Sequence, residues 1–150
     1  MKPGIDFTGI SVGFFCHDNK GNILMHKRSN KTRDEHGRWD NGGGRLEFDE
    51  DPETGVLREL REEHGCDGII EAMPYPVSVH REWDGIKTHW LTFPFIIKVD
   101  PAQVSIIDKN AIDEIGWFTL DNLPEPLHTG FQKVLETHRK IFEQYISKKL

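Results

Sequence analysis

Glu59, Glu62 and Glu63 stand at i, i+3 and i+4, a spacing that puts three carboxylates on one face of a helix. Three like charges repel one another there. Arg58 and Arg61 relieve part of the repulsion, yet neither lies four residues C-terminal to a glutamate, the favourable order. A carboxylate cluster that does not neutralise itself suits a hard divalent cation. Mg²⁺ takes oxygen ligands in near-octahedral geometry and keeps waters and substrate phosphates as the remainder. Metals held this way let an acidic site receive an anionic pyrophosphate, and two of them can clamp the attacking and leaving oxygens around a phosphorus. Upstream, Gly42-Gly43-Gly44 allows the backbone to approach a ligand or metal closely, with Trp39 just before it. Glu50, at the far end of the same loop, is placed to pair with Arg58 and fix the loop to the helix. Taken singly, an acidic helix is usually a solvated face and a glycine cluster an ordinary turn. Their fixed separation is the informative part.

The elements that must position these residues follow from the patterning. The glutamate helix has a well-marked start, with Asp51 as cap, Pro52 in the first helical position and Glu53 in the first turn. Val56, Leu57 and Leu60 form its apolar stripe, and Gly65 ends it. Gly55 inside the helix costs on the order of 1 kcal/mol against alanine and marks close packing. Ahead of it, residues 9–17 read as a largely buried strand, 18–21 as a turn and 22–28 as the antiparallel return, followed by a polar loop to about Arg38. Downstream, Val77–Trp83 and Thr88–Val99 are strands joined at Asp84-Gly85. Alternation of Leu91, Phe93, Phe95, Ile97 and Val99 predicts one buried face, and Pro94 an edge or bulge. Glu114–Phe118 is a last short strand, and Leu123–Pro126 a stiff loop. From Thr129 onward, Phe131, Val134, Leu135, His138, Ile141, Phe142, Tyr145 and Ile146 repeat at helical steps, the mark of a helix packed on a sheet. The result is a single α+β domain over residues 1–150.

Composition agrees with a globular protein, at 36% hydrophobic and 29% charged residues. No run approaches the roughly 18 apolar residues of a membrane span, and the N-terminus has no apolar signal core, so a cytoplasmic location is expected. Cys16 and Cys66, far apart and without a secretion signal, are expected to stay reduced. The eight histidines are scattered, without the spacing of a zinc motif. A net charge of −6, with basic pairs only at places such as Arg139-Lys140 and Lys148-Lys149, argues against long nucleic acid as a partner.

Gly44, Glu50 and Arg58-Glu59-Leu60-Arg61-Glu62-Glu63-His64-Gly65-Cys66 resemble the signature of the Nudix hydrolases: Gly, five residues, Glu, seven residues, then Arg-Glu-aliphatic-x-Glu-Glu-x-Gly-aliphatic. Only Cys66 departs, being apolar without being aliphatic. The resemblance implies an α/β/α sandwich with a mixed sheet between helices. It further implies that Glu59 and Glu63 are the principal metal ligands, with Glu62 contributing and the Gly43 carbonyl completing a site. Family members activate water with a glutamate of the signature, matched here by Glu59, or with an acid from a later loop. For the latter Glu114 is the choice, with Asp113 and Asp108 as rivals. The implied cofactor is Mg²⁺, or Mn²⁺ in its place.

The implied reaction is attack by water at one phosphorus of a nucleoside diphosphate linked to a group X. The short chain is similar to the small MutT-type pyrophosphohydrolases, which favours a (d)NTP. ADP-ribose, sugar nucleotides and dinucleoside polyphosphates are the alternatives. A non-catalytic nucleotide sensor is the alternative of another class, against which stands the complete set of glutamates. A base pocket is expected from the first hairpin, the loop from Arg28 to Trp39 and the segment around His128, with Arg28 toward a phosphate. Many relatives pair as homodimers, and the sequence leaves that open.

Overall fold

The computed structural model describes residues 1–147, and the pair Lys148-Lys149 lies outside them. Along the chain run β1 (Gly9–His17), β2 (Ile23–Arg28), β3 (Trp39–Asp40), β4 (Gly43–Arg45), α1 (Pro52–His64), β5 (Ile69–Ala72), β6 (Val77–Trp83), β7 (Ile86–Lys98), β8 (Ile112–Phe118) and α2 (Thr129–Ile146). A short 3₁₀ turn, Pro101–Gln103, separates β7 from β8. The strands form one mixed sheet. Its spine is the parallel pair β1–β7, in unbroken register from Gly9 opposite Trp90 to His17 opposite Lys98.

The other edge of β1 forks. Its first half pairs with β4, from Ser11 opposite Arg45 to Gly13 opposite Gly43, while its last residue, His17, pairs with Ile23 of β2. β2 in turn carries β3 and β8. The far edge of β7 is shared in the same way, by β6 up to Thr92 and by β5 from Ile96. Pro94 falls in the interval between them. The unpaired edge expected from this proline therefore exists, but as a gap beside a central strand.

Alternation divides the core into two layers. Val12, Phe14, Cys16, Leu24, Phe95 and Ile97 face α1 and pack on Val56 and Leu60. Phe15, Ile23, Met25, Val79 and Ile96 face the other way, against Phe131, Val134, Leu135, Phe142 and Ile146 of α2. One helix on each face of a mixed sheet is the α/β/α sandwich implied by the sequence. Both faces of the second half of β7 are buried, beyond the single face that its alternation predicts. The three elements without a sequence signal are β3, β4 and β5, all short, with β4 built on glycine, a residue depleted in strands.

The turn expected at Asp84-Gly85 joins β6 to β7 with both residues left-handed (φ 52° and 78°), as the tightest hairpins require. Gly55 does mark close packing: a methyl there would lie 2.8 Å from Leu46 and 2.9 Å from Glu50. Because Phe142 is fully buried between α2 and the sheet, Phe142→Ala should lower unfolding free energy by about 3–5 kcal/mol in urea titration. Metal affinity at the α1 face should be unaffected by that change.

Candidate active site

The last turns of α1 point their glutamates at the glycine strand. Arg58 organises this face. Its guanidinium donates to Glu50 through Nε (2.7 Å) and Nη2 (3.0 Å), to Glu59 (2.9 Å) and Glu62 (3.2 Å) through Nη1, and to the Arg45 carbonyl (3.3 Å). The bidentate pairing with Arg58 holds the Glu50 carboxyl down to about 2. This is the loop-to-helix pin expected from the sequence. It also corrects one expectation, since Arg58 reaches two of the three glutamates despite its unfavourable order along the helix.

Glu63 behaves differently. Burial pushes its carboxyl well above the ordinary range, the neighbouring Glu59 and then Asp40 add to this, and the Gly43 N–H, donating at 3.2 Å, opposes it. Gly44 presses on Glu59 so closely that any side chain would overlap the carboxylate. Gly43, at φ 141°, has no space for a side chain against the Val12 carbonyl. Two adjoining carboxylates, one of them half dry, cannot both ionise cheaply without a cation. The donor set is all oxygen and fits a hard divalent ion: Glu59, Glu62 and Glu63 would hold it, with the Gly43 carbonyl as the expected fourth ligand.

These carboxylates line a cavity of about 210 Å³ that also includes His26, Asp40, Gly42, Gly43 and Asp108. Glu114 is not there. It is exposed on β8, and because Phe118 belongs to the α2 layer while Ile115 and Trp117 belong to the α1 layer, alternation puts Glu114 on the opposite face from the glutamates. Asp113 does not line the cavity either. Asp108 does, on a loop tied to the end of α1 by Ser105 N–H to the His64 carbonyl (3.0 Å) and Ile107 N–H to the Glu63 carbonyl (2.9 Å).

A second cavity, of about 220 Å³, lies toward α2 and shares Arg28, Asp40, Gly42 and Gly43 with the first. Phe15, Val79, Phe131 and Val134 give it an apolar side, and Asn41, Arg81 and His128 a polar one. Arg28 thus borders both cavities, held by Asp34 (3.1 Å) and Asp40 (3.3 Å). His128 caps α2: its Nδ1 accepts from Gly130 N–H (3.0 Å) and Phe131 N–H (3.4 Å), while its Nε2 lies 3.1 Å from a Glu35 carboxylate oxygen and 3.4 Å from Arg81 Nη1. Trp39 borders neither cavity. It is 8% exposed, packs edge-on against Phe118, and acts through its backbone, whose carbonyl accepts from His128 N–H at 2.8 Å. Its aromatic bulk went to the core, correcting its assignment as a substrate contact.

Several buried polar residues had no sequence signal. Asp40 sits between the cavities; burial opposes its ionisation, but His128, His26 and Arg28 hold its carboxyl down to about 2. Asp34 and Glu35, in a stretch that reads as polar loop, are 2% and 4% exposed. With His128 they could form a metal-binding triad, yet Arg81 already serves as their cation, 2.6 Å from Glu35 and 3.1 Å from Asp34. His26 is held down to about 4 by burial, against the pull of Asp40.

The raised Glu63 carboxyl predicts a stability effect. A group whose folded pKa exceeds its unfolded value gives stability below the unfolded pKa and loses it as pH rises through the folded one. In metal-free protein at neutral pH, Glu63→Gln should therefore raise the melting temperature by about 2–4 °C per kcal/mol relieved. Divalent cation should stabilise the parent chain and not the variant. Thermal unfolding with chelator and with Mg²⁺ reads both; a variant less stable than the parent in chelator would refute the repulsion.

A family model described as NUDIX domain matches residues 8–138. An RNA pyrophosphohydrolase from Gluconacetobacter diazotrophicus is 32% identical over 140 residues, covering 82% of this chain and 83% of its own. An 8-oxo-dGTP diphosphatase from Proteus vulgaris is 41% identical over 58 residues, 39% of this chain and 50% of that protein. Among solved structures, a MutT NUDIX hydrolase from Burkholderia pseudomallei superposes with a TM-score of 0.74 at 27% identity, covering 87% of this chain and 98% of that one. With the family model spanning most of the chain that carries the glutamate helix and the glycine strand, the chain belongs to the NUDIX family of hydrolases.

Proposed function

We propose that this chain is a Mg²⁺-dependent pyrophosphohydrolase that converts a nucleoside 5′-triphosphate to the monophosphate. One observation carries the reading: the carboxylate cavity and the second, partly apolar cavity meet at the Gly42–Gly43 backbone. A nucleoside lodged on Phe15, Val79 and Phe131 would extend its phosphates past Arg28 toward Glu59 and Glu63. Members of the family generally use divalent metal ions, which supply neutralisation of the charge that develops on the phosphates. The chain's own part is positioning and electrostatics. Arg58 keeps Glu59 and the Glu50 loop in register, Gly43 orients Glu63, and Arg28 offers a guanidinium to the phosphates. The water proton passes to a cavity carboxylate, for which Glu59, Glu63 and Asp108 are at hand; Asp108 takes the later-loop role first given to Glu114.

A second reading is a 5′-triphosphorylated RNA end as substrate. It is favoured by the similarity to an RNA pyrophosphohydrolase over most of both chains. The net charge of −6 and the small volume of the second cavity weigh against it.

Initial rates on dNTPs, 8-oxo-dGTP, ADP-ribose and a 5′-triphosphorylated RNA, each with Mg²⁺, separate these readings. Free triphosphates should be the fastest and release pyrophosphate; preference for the RNA end would replace the first reading with the second. Binding without turnover of any of them would make the chain a sensor. Glu59→Gln and Glu63→Gln should each lower kcat by roughly 10²-fold or more while the protein stays folded. Asp108→Asn should fall in the same class and Glu114→Gln near the parent; the reverse order would restore Glu114.

A further inference from the structure

His26 on β2 and His64 in α1 form a buried pair beside the glutamates that the reaction described so far does not use. His64 Nδ1 lies 2.9 Å from the Ser105 carbonyl, and His64 Nε2 lies 3.0 Å from His26 Nδ1. A carbonyl oxygen only accepts, so His64 Nδ1 carries a proton. His64 is fully buried and His26 is 4% exposed, and among the described residues neither ring forms an ion pair, so both remain neutral. A neutral ring protonated at Nδ1 has a bare Nε2. His64 Nε2 therefore accepts, His26 Nδ1–H donates, and His26 is left with a bare Nε2. His26 lines the carboxylate cavity with Glu59, Glu63 and Asp108, and its Cε1 edge lies 3.0 Å from where a side chain on Gly42 would begin. The three-link chain from Ser105 thus ends in a bare Nε2 on a ring that lines the carboxylate cavity.

We propose that His26 is a positioning residue for the reaction: its Nε2 accepts a hydrogen bond from the attacking water. The inference rests on the hydrolytic reading of this cavity. A water that gives one hydrogen to His26 and the other to a cavity carboxylate has both protons committed and its lone pairs free for phosphorus. As the new oxygen–phosphorus bond forms, the bridging bond breaks and its electron pair leaves on the departing phosphate. The water proton moves to the carboxylate. His26 only accepts, since its dry surroundings disfavour an imidazolium. Ser105 and Asp108 share one loop, so the same segment that brings the later-loop acid also sets the tautomer of the histidine.

Nitrogen NMR of histidine-labelled protein tests this in the unmodified chain. Near neutral pH, His26 and His64 should both be protonated at Nδ1 and bare at Nε2. The His26 Nε2 resonance should move when Mg²⁺ and a non-hydrolysable nucleoside triphosphate analogue are added together. A proton on His26 Nε2, or no response there, overturns the proposal even if no variant folds. His26→Leu should lower kcat about 10²-fold with KM and Mg²⁺ affinity little changed, the scale of a misplaced reactant. His26→Gln, which returns an acceptor oxygen, should recover part of the loss. A folded His26→Leu protein with the parent's kcat overturns the role of His26 and leaves the hydrolase reading intact, whereas a parent chain that hydrolyses nothing refutes that reading itself.

Discussion

Between Gly42 and Gly44 the backbone runs through a slot with β1 on one side and α1 on the other. Neither wall leaves space for a side chain on Gly43 or Gly44. The slot lets β4 pair with the first half of β1, turns the Gly43 N–H toward Glu63, and brings two cavities to a common border. A wider separation would lose all three together. The fork in the sheet, which leaves β1 paired to β4 at one end and β2 at the other, is what opens the slot.

Around this slot the charges are sorted before any ligand arrives. Arg58 gathers Glu50, Glu59 and Glu62; Arg28 and Arg81 gather Asp34, Asp40 and Glu35. Buried pairs of this kind add little net stability, because desolvation offsets attraction. Their effect is on placement: side chains that would sweep many rotamers are confined to one. Glu63 is the exception, steadied by the Gly43 N–H and, among the described residues, by no guanidinium.

The helix, the signature residues and both core layers were legible because their signals are local and periodic. Pro52 and Gly65 bound α1 where expected, and the apolar stripe of α2 packs as its spacing requires. Glu114 was preferred to Asp108 on its proximity to Trp117, which says nothing of the face of β8 on which a side chain lies, and the structure puts it away from the cavity that Asp108 lines. Asp108 could be chosen only once the loop was seen hanging from the end of α1. Asp34 and Glu35 read as loop polarity, and their burial depends on Arg81, far along the chain. Trp39 ends a loop expected to line a base pocket, and only the structure shows its ring turned into the core against Phe118.

The loop carrying Asp108 hangs from the carbonyls of Glu63 and His64. Helix ends ordinarily fray first, as the least protected part of an element. Here fraying would displace Glu63, His64 and the loop that carries Asp108 in one event. The end of α1 and the 105–108 loop therefore belong to one cooperative unit that holds or opens together. Changes of chain length are expected to be accepted around Pro101–Gln103 and resisted from Ser105 to Asp108, so that the tolerance of this connection to insertion is set by the last turn of a helix on another part of the chain.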